Sequence, residues 1–125
     1  MARYDKYEPK GGGFRAALAA DTLQADVGAV RAVSLDANGR VVIGTAGNSG
    51  FVGVIVQDSM KKLGDVVDVM TDGEIVEMSG LTAGTKYYAA SAGTLNTTTT
   101  NPLVGFTAEA TRLIVRVRQT VGATV

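Results

Sequence analysis

From Ala29 almost to the C-terminus, short runs of β-branched and apolar residues alternate with glycine-bearing polar breaks, the pattern of a strand-and-turn protein. Val30–Leu35 and Arg40–Ile43 flank Asp36-Ala37-Asn38-Gly39, where Asn-Gly is a strong hairpin signal. Asp65–Met70 and Glu74–Met78 flank Thr71-Asp72-Gly73, and Lys86–Ala89 and Thr94–Asn96 flank a turn ending in Gly93, so three hairpins in series are expected. Between the first two, Gly50-Phe51-Val52-Gly53-Val54-Ile55-Val56 is continuously apolar, as suits a central strand covered on both faces, with glycine where a neighbouring backbone comes close. In Thr111–Arg118, Leu113, Val115 and Val117 share one face and Arg112, Arg116 and Arg118 the other.

The expectation is an all-β domain, a small hairpin-rich barrel or sandwich of about eight strands with turns roughly every 8 to 12 residues. It spans residues 28–125. Residues 1–27 read as a flexible or extended N-terminal arm. Within it Phe14, Ala17 and Leu18 permit a short helix ending near Asp21, and an extended course across a neighbour suits the same small side chains equally well. Asn96–Pro102, a threonine tract closed by proline, reads as a loop.

Composition sharpens this picture. One domain is expected at 125 residues, with a light core, since the chain has four Tyr, three Phe and no Trp. Twelve basic and twelve acidic residues cancel, so no long-range field draws the chain to nucleic acid or an anionic membrane. Cys and His are both absent, which excludes disulfides, thiolate chemistry and histidine as base or metal ligand. No apolar run approaches the roughly 18 residues of a membrane span, and synthesis in the cytoplasm is expected.

The sequence offers little chemistry. Gly44-Thr45-Ala46-Gly47-Asn48-Ser49-Gly50 leads into a strand, without the Lys and helix of a phosphate loop. Asp65, Asp68, Glu74 and Glu77 bracket valine and isoleucine as a polar strand face does, with no nucleophile beside them. Tyr87 and Tyr88 adjoin each other and so point to opposite faces; one of them as a stacking platform would suit a glycan-binding surface module. No catalytic residue, metal or cofactor is expected. Arg112, Arg116 and Arg118 suit contacts to carboxylates of a neighbouring subunit, because arginine bonds in a planar, multidentate way.

Several segments carry a resemblance: Ala2-Arg3-Tyr4-Asp5-Lys6-Tyr7-Glu8-Pro9, Gly13–Asp21 and Gly64–Val76. Together they resemble the small head decoration, or cement, proteins of tailed phages, especially those infecting actinobacteria. Leu81-Thr82-Ala83-Gly84-Thr85-Lys86-Tyr87-Tyr88, followed by Val104-Gly105-Phe106, is similar to a β module recurrent in phage head and tail proteins. The resemblance implies binding to the major capsid protein on the outer surface of the head, commonly as a homotrimer, with the N-terminal arm reaching neighbouring subunits. Tyr4, Tyr7, Phe14 and Arg15 are then the expected capsid contacts. A fibre, tail or baseplate module is the alternative.

Overall fold

The computed structural model describes residues 13–121, so Tyr4 and Tyr7 lie outside the described residues. It is all-β. The strands are β1 (Gly13–Ala17), β2 (Val30–Leu35), β3 (Val41–Ile43), β4 (Phe51–Val56) and β5 (Val66–Met70), then β6 (Asp72–Glu77), β7 (Lys86–Ala89), β8 (Leu95–Asn96), β9 (Pro102–Glu109) and β10 (Arg112–Val121). They form two antiparallel five-stranded sheets, ordered β1-β5-β4-β2-β3 and β6-β10-β9-β7-β8. Of the two expected architectures, the sandwich is the one present.

The core divides in two. Between the sheets lie Val30 and Ala32 of β2, Phe51 and Val54 of β4, Val76, Tyr87, Ala89 and Val104, with Leu113 and Val115 of β10. The alternation read from β10 places Leu113 and Val115 in this core with no solvent exposure. A second cluster, Leu18, Val33, Val41, Ile55, Val67 and Val69, uses the other face of the first sheet. That sheet curls around it until its far edges touch: Leu18 bridges Val41, and the Ala19 N–H donates to the Val41 carbonyl at 2.8 Å. With both faces covered, β4 is central, as its unbroken apolar run requires. A Cβ on Gly53 would lie 2.6 Å from the Met70 carbonyl oxygen and 2.5 Å from Val69 Cγ1, so glycine there is set by the approach of β5.

Two expectations are corrected. The possible short helix beginning at Phe14 is strand β1, paired residue for residue with β5 from Gly13↔Met70 to Ala17↔Val66. The ladder outcompetes an alanine helix because it buries Leu18 to 1% exposure and is prolonged by Asp21, whose Oδ1 accepts the Leu63 N–H at 2.7 Å. Thr22 adds to it, its Oγ1 accepting the Lys61 N–H at 2.7 Å. The second hairpin is also absent. Thr71-Asp72-Gly73 does not fold β6 back on β5 but carries the chain from one sheet to the other, where β6 pairs with β10. Asp68 and Glu74 therefore sit on different sheets. The first and third hairpins form as expected, β2 with β3 and β7 with β8.

The polar residues that the sequence left open act as fasteners. Ser34, fully buried, donates to the Gly44 carbonyl at 2.9 Å and accepts the Gly47 N–H at 2.8 Å, pinning the glycine-rich loop to β2. The Tyr87 hydroxyl accepts the Thr82 N–H at 2.8 Å, and the buried Thr107 hydroxyl donates to the Thr82 carbonyl, so Leu81–Tyr87 forms a tyrosine corner against β9.

Candidate interaction surfaces

Two outward faces carry the residues singled out from the sequence. On the first, β1 and β5 set Arg15 directly opposite Asp68, and Arg15 Nε lies 2.7 Å from Asp68 Oδ1. Both side chains are largely exposed, so the pair adds little stability and remains available to a partner. Phe14, one residue earlier, points the other way and is half-buried against the second core cluster. Of the expected contacts among the described residues, Arg15 is therefore presented outward and Phe14 serves packing.

Beside Arg15 the same face carries apolar surface that the sequence reading missed. Val66 is 63% exposed, and Val56, Asp68 and Lys61 line a shallow depression of about 490 Å³ with it. Met60 and Leu63, in the connection from β4 to β5, are also largely exposed. Strand alternation was the available signal: with Val67 and Val69 inward, Val66 and Asp68 must point out.

The second face is the outer side of the β6-β10-β9-β7 sheet. Arg112 and Arg116 flank Ile114 there, as their alternation implies. Their guanidinium groups meet carboxylates of this chain, Arg112 with Glu109 at 3.4 Å and Arg116 with Asp72 at 3.3 Å. Arg118 donates to the Val117 carbonyl at 2.9 Å. Cross-strand register aligns Ile75, Ile114, Phe106 and Lys86 across four strands, an apolar row ending in one cation. Ile75 is 56% exposed.

Tyr87 and Tyr88 are both buried, at 8% and 6% exposure. Neither offers a stacking platform, which removes the sequence feature behind the glycan-binding reading. Among the described residues no group of three His, Cys, Asp or Glu side chains could hold a metal ion.

Among the described residues, the ion pair with the least exposed side chains is structural. Asp26, in a 3-10 turn at Gln24–Asp26, accepts Arg31 Nε at 2.9 Å and the Leu23 N–H at 2.9 Å. Burial alone raises its pKa, but the hydrogen bonds from Arg31 and Leu23 and the Arg31 charge outweigh burial and hold the carboxyl below its ordinary value. Arg31 also donates to the Ala25 carbonyl at 2.9 Å, which ties the turn to β2.

No protein-family model matches this chain, and no curated protein matches its sequence. Among solved structures, a protein of Mycobacterium phage Patience is similar in fold, with a TM-score of 0.73 at 20% identity. The match covers 94% of this chain and 96% of that one, so it takes in both sheets and their connections.

Proposed function

We propose that this chain is a structural, non-enzymatic protein of a tailed-phage particle, and within it a head decoration protein. In this reading it binds the outer surface of the assembled head and bridges major capsid protein subunits as a homotrimer. The observation that carries it is a fold shared over nearly the whole length with a mycobacteriophage protein, joined to the arm and strand segments that resemble decoration proteins. Two further features support a binding role. The outward faces combine exposed aliphatic side chains with arginine–carboxylate pairs, the mixture found at protein interfaces. The arm offers Tyr4 and Tyr7, large amphipathic side chains with little rotamer entropy to lose.

The physical account is avidity. Each site contributes modestly, and several copies joined at one axis raise retention by orders of magnitude. The test is to mix the purified chain with expanded, undecorated shells and count bound copies per capsomer after sedimentation. Saturation at a fixed stoichiometry is expected. A chain that ignores every shell form and co-purifies with tails belongs to the fibre, tail or baseplate reading.

A further inference from the structure

We infer that the wedge between β4 and β5 is a slot for the main chain of an extended, uncharged segment of a partner. The identity of that partner rests on the reading proposed above, in which the segment belongs to the major capsid protein. The two strands are neighbours in the first sheet, yet their register holds at one position alone, Val54↔Met70. Beyond it, toward the end of β4 and the start of β5, they part. The depression lined by Val56, Gln57, Val66 and Asp68 lies between them.

Alternation decides which main-chain groups face the wedge. Ala32 of β2 turns both of its groups away from β4: its N–H donates to the Gly93 carbonyl at 2.8 Å, and its carbonyl accepts the Gly44 N–H at 2.8 Å. Val54, opposite Ala32, therefore turns its own groups toward β5, and so does Val56 two residues on. From the other wall, the Asp65 carbonyl accepts the Leu18 N–H at 2.8 Å, which points it toward β1. Val66, Asp68 and Met70 consequently face β4. A continued register would have Val56 and Asp68 exchange both of their hydrogen bonds, and these two residues are not paired. Each wall thus presents an N–H and a carbonyl, the groups that an incoming main chain can satisfy.

Gln57 is a second, independent observation. Among the described residues, the buried Thr22, Asp26, Ser34 and Thr107 side chains all hold hydrogen bonds within the chain. The Gln57 amide, 7% exposed, takes no partner from those residues. Since none of their fully enclosed side-chain nitrogens or oxygens lacks a partner, this amide opens into the depression that it lines. The backbone holds it there, because the Gly28 N–H donates to the Gln57 carbonyl at 2.7 Å. A primary amide both donates and accepts, as a peptide group does, and so complements one.

Charge sets the character of the occupant. Arg15 holds Asp68, and Lys61 Nζ lies 3.7 Å from Asp58 Oδ1, so the charges around the slot are matched already and call for no counter-charge. Val56 and Val66 flank it with exposed aliphatic surface. An extended segment with small or aliphatic side chains fits both features.

The test is amide hydrogen exchange on the protein, free and bound to expanded, undecorated shells, with Gln57→Leu alongside. Binding should slow exchange of the Val56 and Asp68 amides at least about tenfold. Gln57→Leu keeps the size of the side chain and removes an amide that the fold does not use. Its urea midpoint should equal or exceed that of the wild type, while its retention on shells falls about tenfold. Shell binding that leaves Val56 and Asp68 exchanging as in the free protein would overturn the slot and leave the decoration reading standing. A lower midpoint for Gln57→Leu, or unchanged retention, would also overturn it. Wild-type protein that binds no shell form would defeat the decoration reading and the inference together. Protection that grows with protein concentration in the absence of shells would give the slot to a second copy and overturn the inference as well.

Discussion

The Tyr87 hydroxyl and the Asp26 carboxylate each satisfy a backbone N–H that would otherwise be left without a partner, and their removal has definite costs. Tyr87→Phe keeps the ring in the inter-sheet core and deletes only the acceptor for the Thr82 N–H. A loss of about 1–2 kcal/mol in urea unfolding is expected, with little change in the slope on denaturant. Asp26→Asn removes the charge that Arg31 faces, and about 1–3 kcal/mol should be lost at neutral pH. Asp26 has a folded-state pKa below its unfolded value, so its contribution is fully present above the unfolded pKa, roughly pH 4, and is lost as pH falls through the folded value. The stability difference between wild type and Asp26→Asn should therefore hold steady above about pH 5 and narrow as the medium becomes more acidic. A difference that does not vary with pH would mean that Asp26 acts through shape alone.

At the level of strands, the close seam between β4 and β5 is the most sensitive point. Gly53→Ala sets a methyl against the Met70 carbonyl and Val69, and the cost of forcing the strands apart is about 1–3 kcal/mol, measurable as a lower midpoint in thermal or chemical unfolding. A mutant of unchanged stability would show that β5 can retreat freely. This seam was legible in the sequence, because a glycine within an unbroken apolar run has few other reasons to be there. The β10 alternation and the Asn-Gly hairpin were legible for the same reason: each is decided by neighbours close in sequence. What escaped was decided at long range. Asp72-Gly73 has the chemistry of a hairpin turn, yet Val67 and Val69 bury against the first sheet's own cluster while Val76 joins the inter-sheet core, and no local signal separates those fates. The Ala-rich segment after Phe14 became a strand because β5 offered an unpaired edge, which only the assembled sheet reveals. The candidate surfaces were legible in part. Arg112 and Arg116 were marked by their place on a strand and Arg15 by the resemblance alone, whereas their partners Glu109, Asp72 and Asp68 depended on register and turn geometry.

For the whole molecule, a formal net charge of zero means that the proposed docking on a shell would rest on short-range contacts rather than on attraction from a distance. The β1–β5 face is the better candidate for the capsid. It carries the exposed Val66 and Val56 and holds a charge pair that is weak enough to exchange partners. Val66→Asp tests this cleanly, since the side chain is 63% exposed and the substitution should leave stability within about 0.5 kcal/mol. Burying that carboxylate against an apolar partner surface without a counter-ion would be costly, so occupancy on expanded shells should fall at least about tenfold at sub-saturating protein. Removal of residues 1–12 should weaken binding separately, and the combined variant should lose more than either alone if both elements touch the shell. Unchanged occupancy with Val66→Asp would transfer the contact to the Ile75–Ile114–Phe106 row on the opposite sheet. There, Arg112 and Arg116 already hold carboxylates at interface-like distances, and a capsid loop bearing Asp or Glu would need only to displace them.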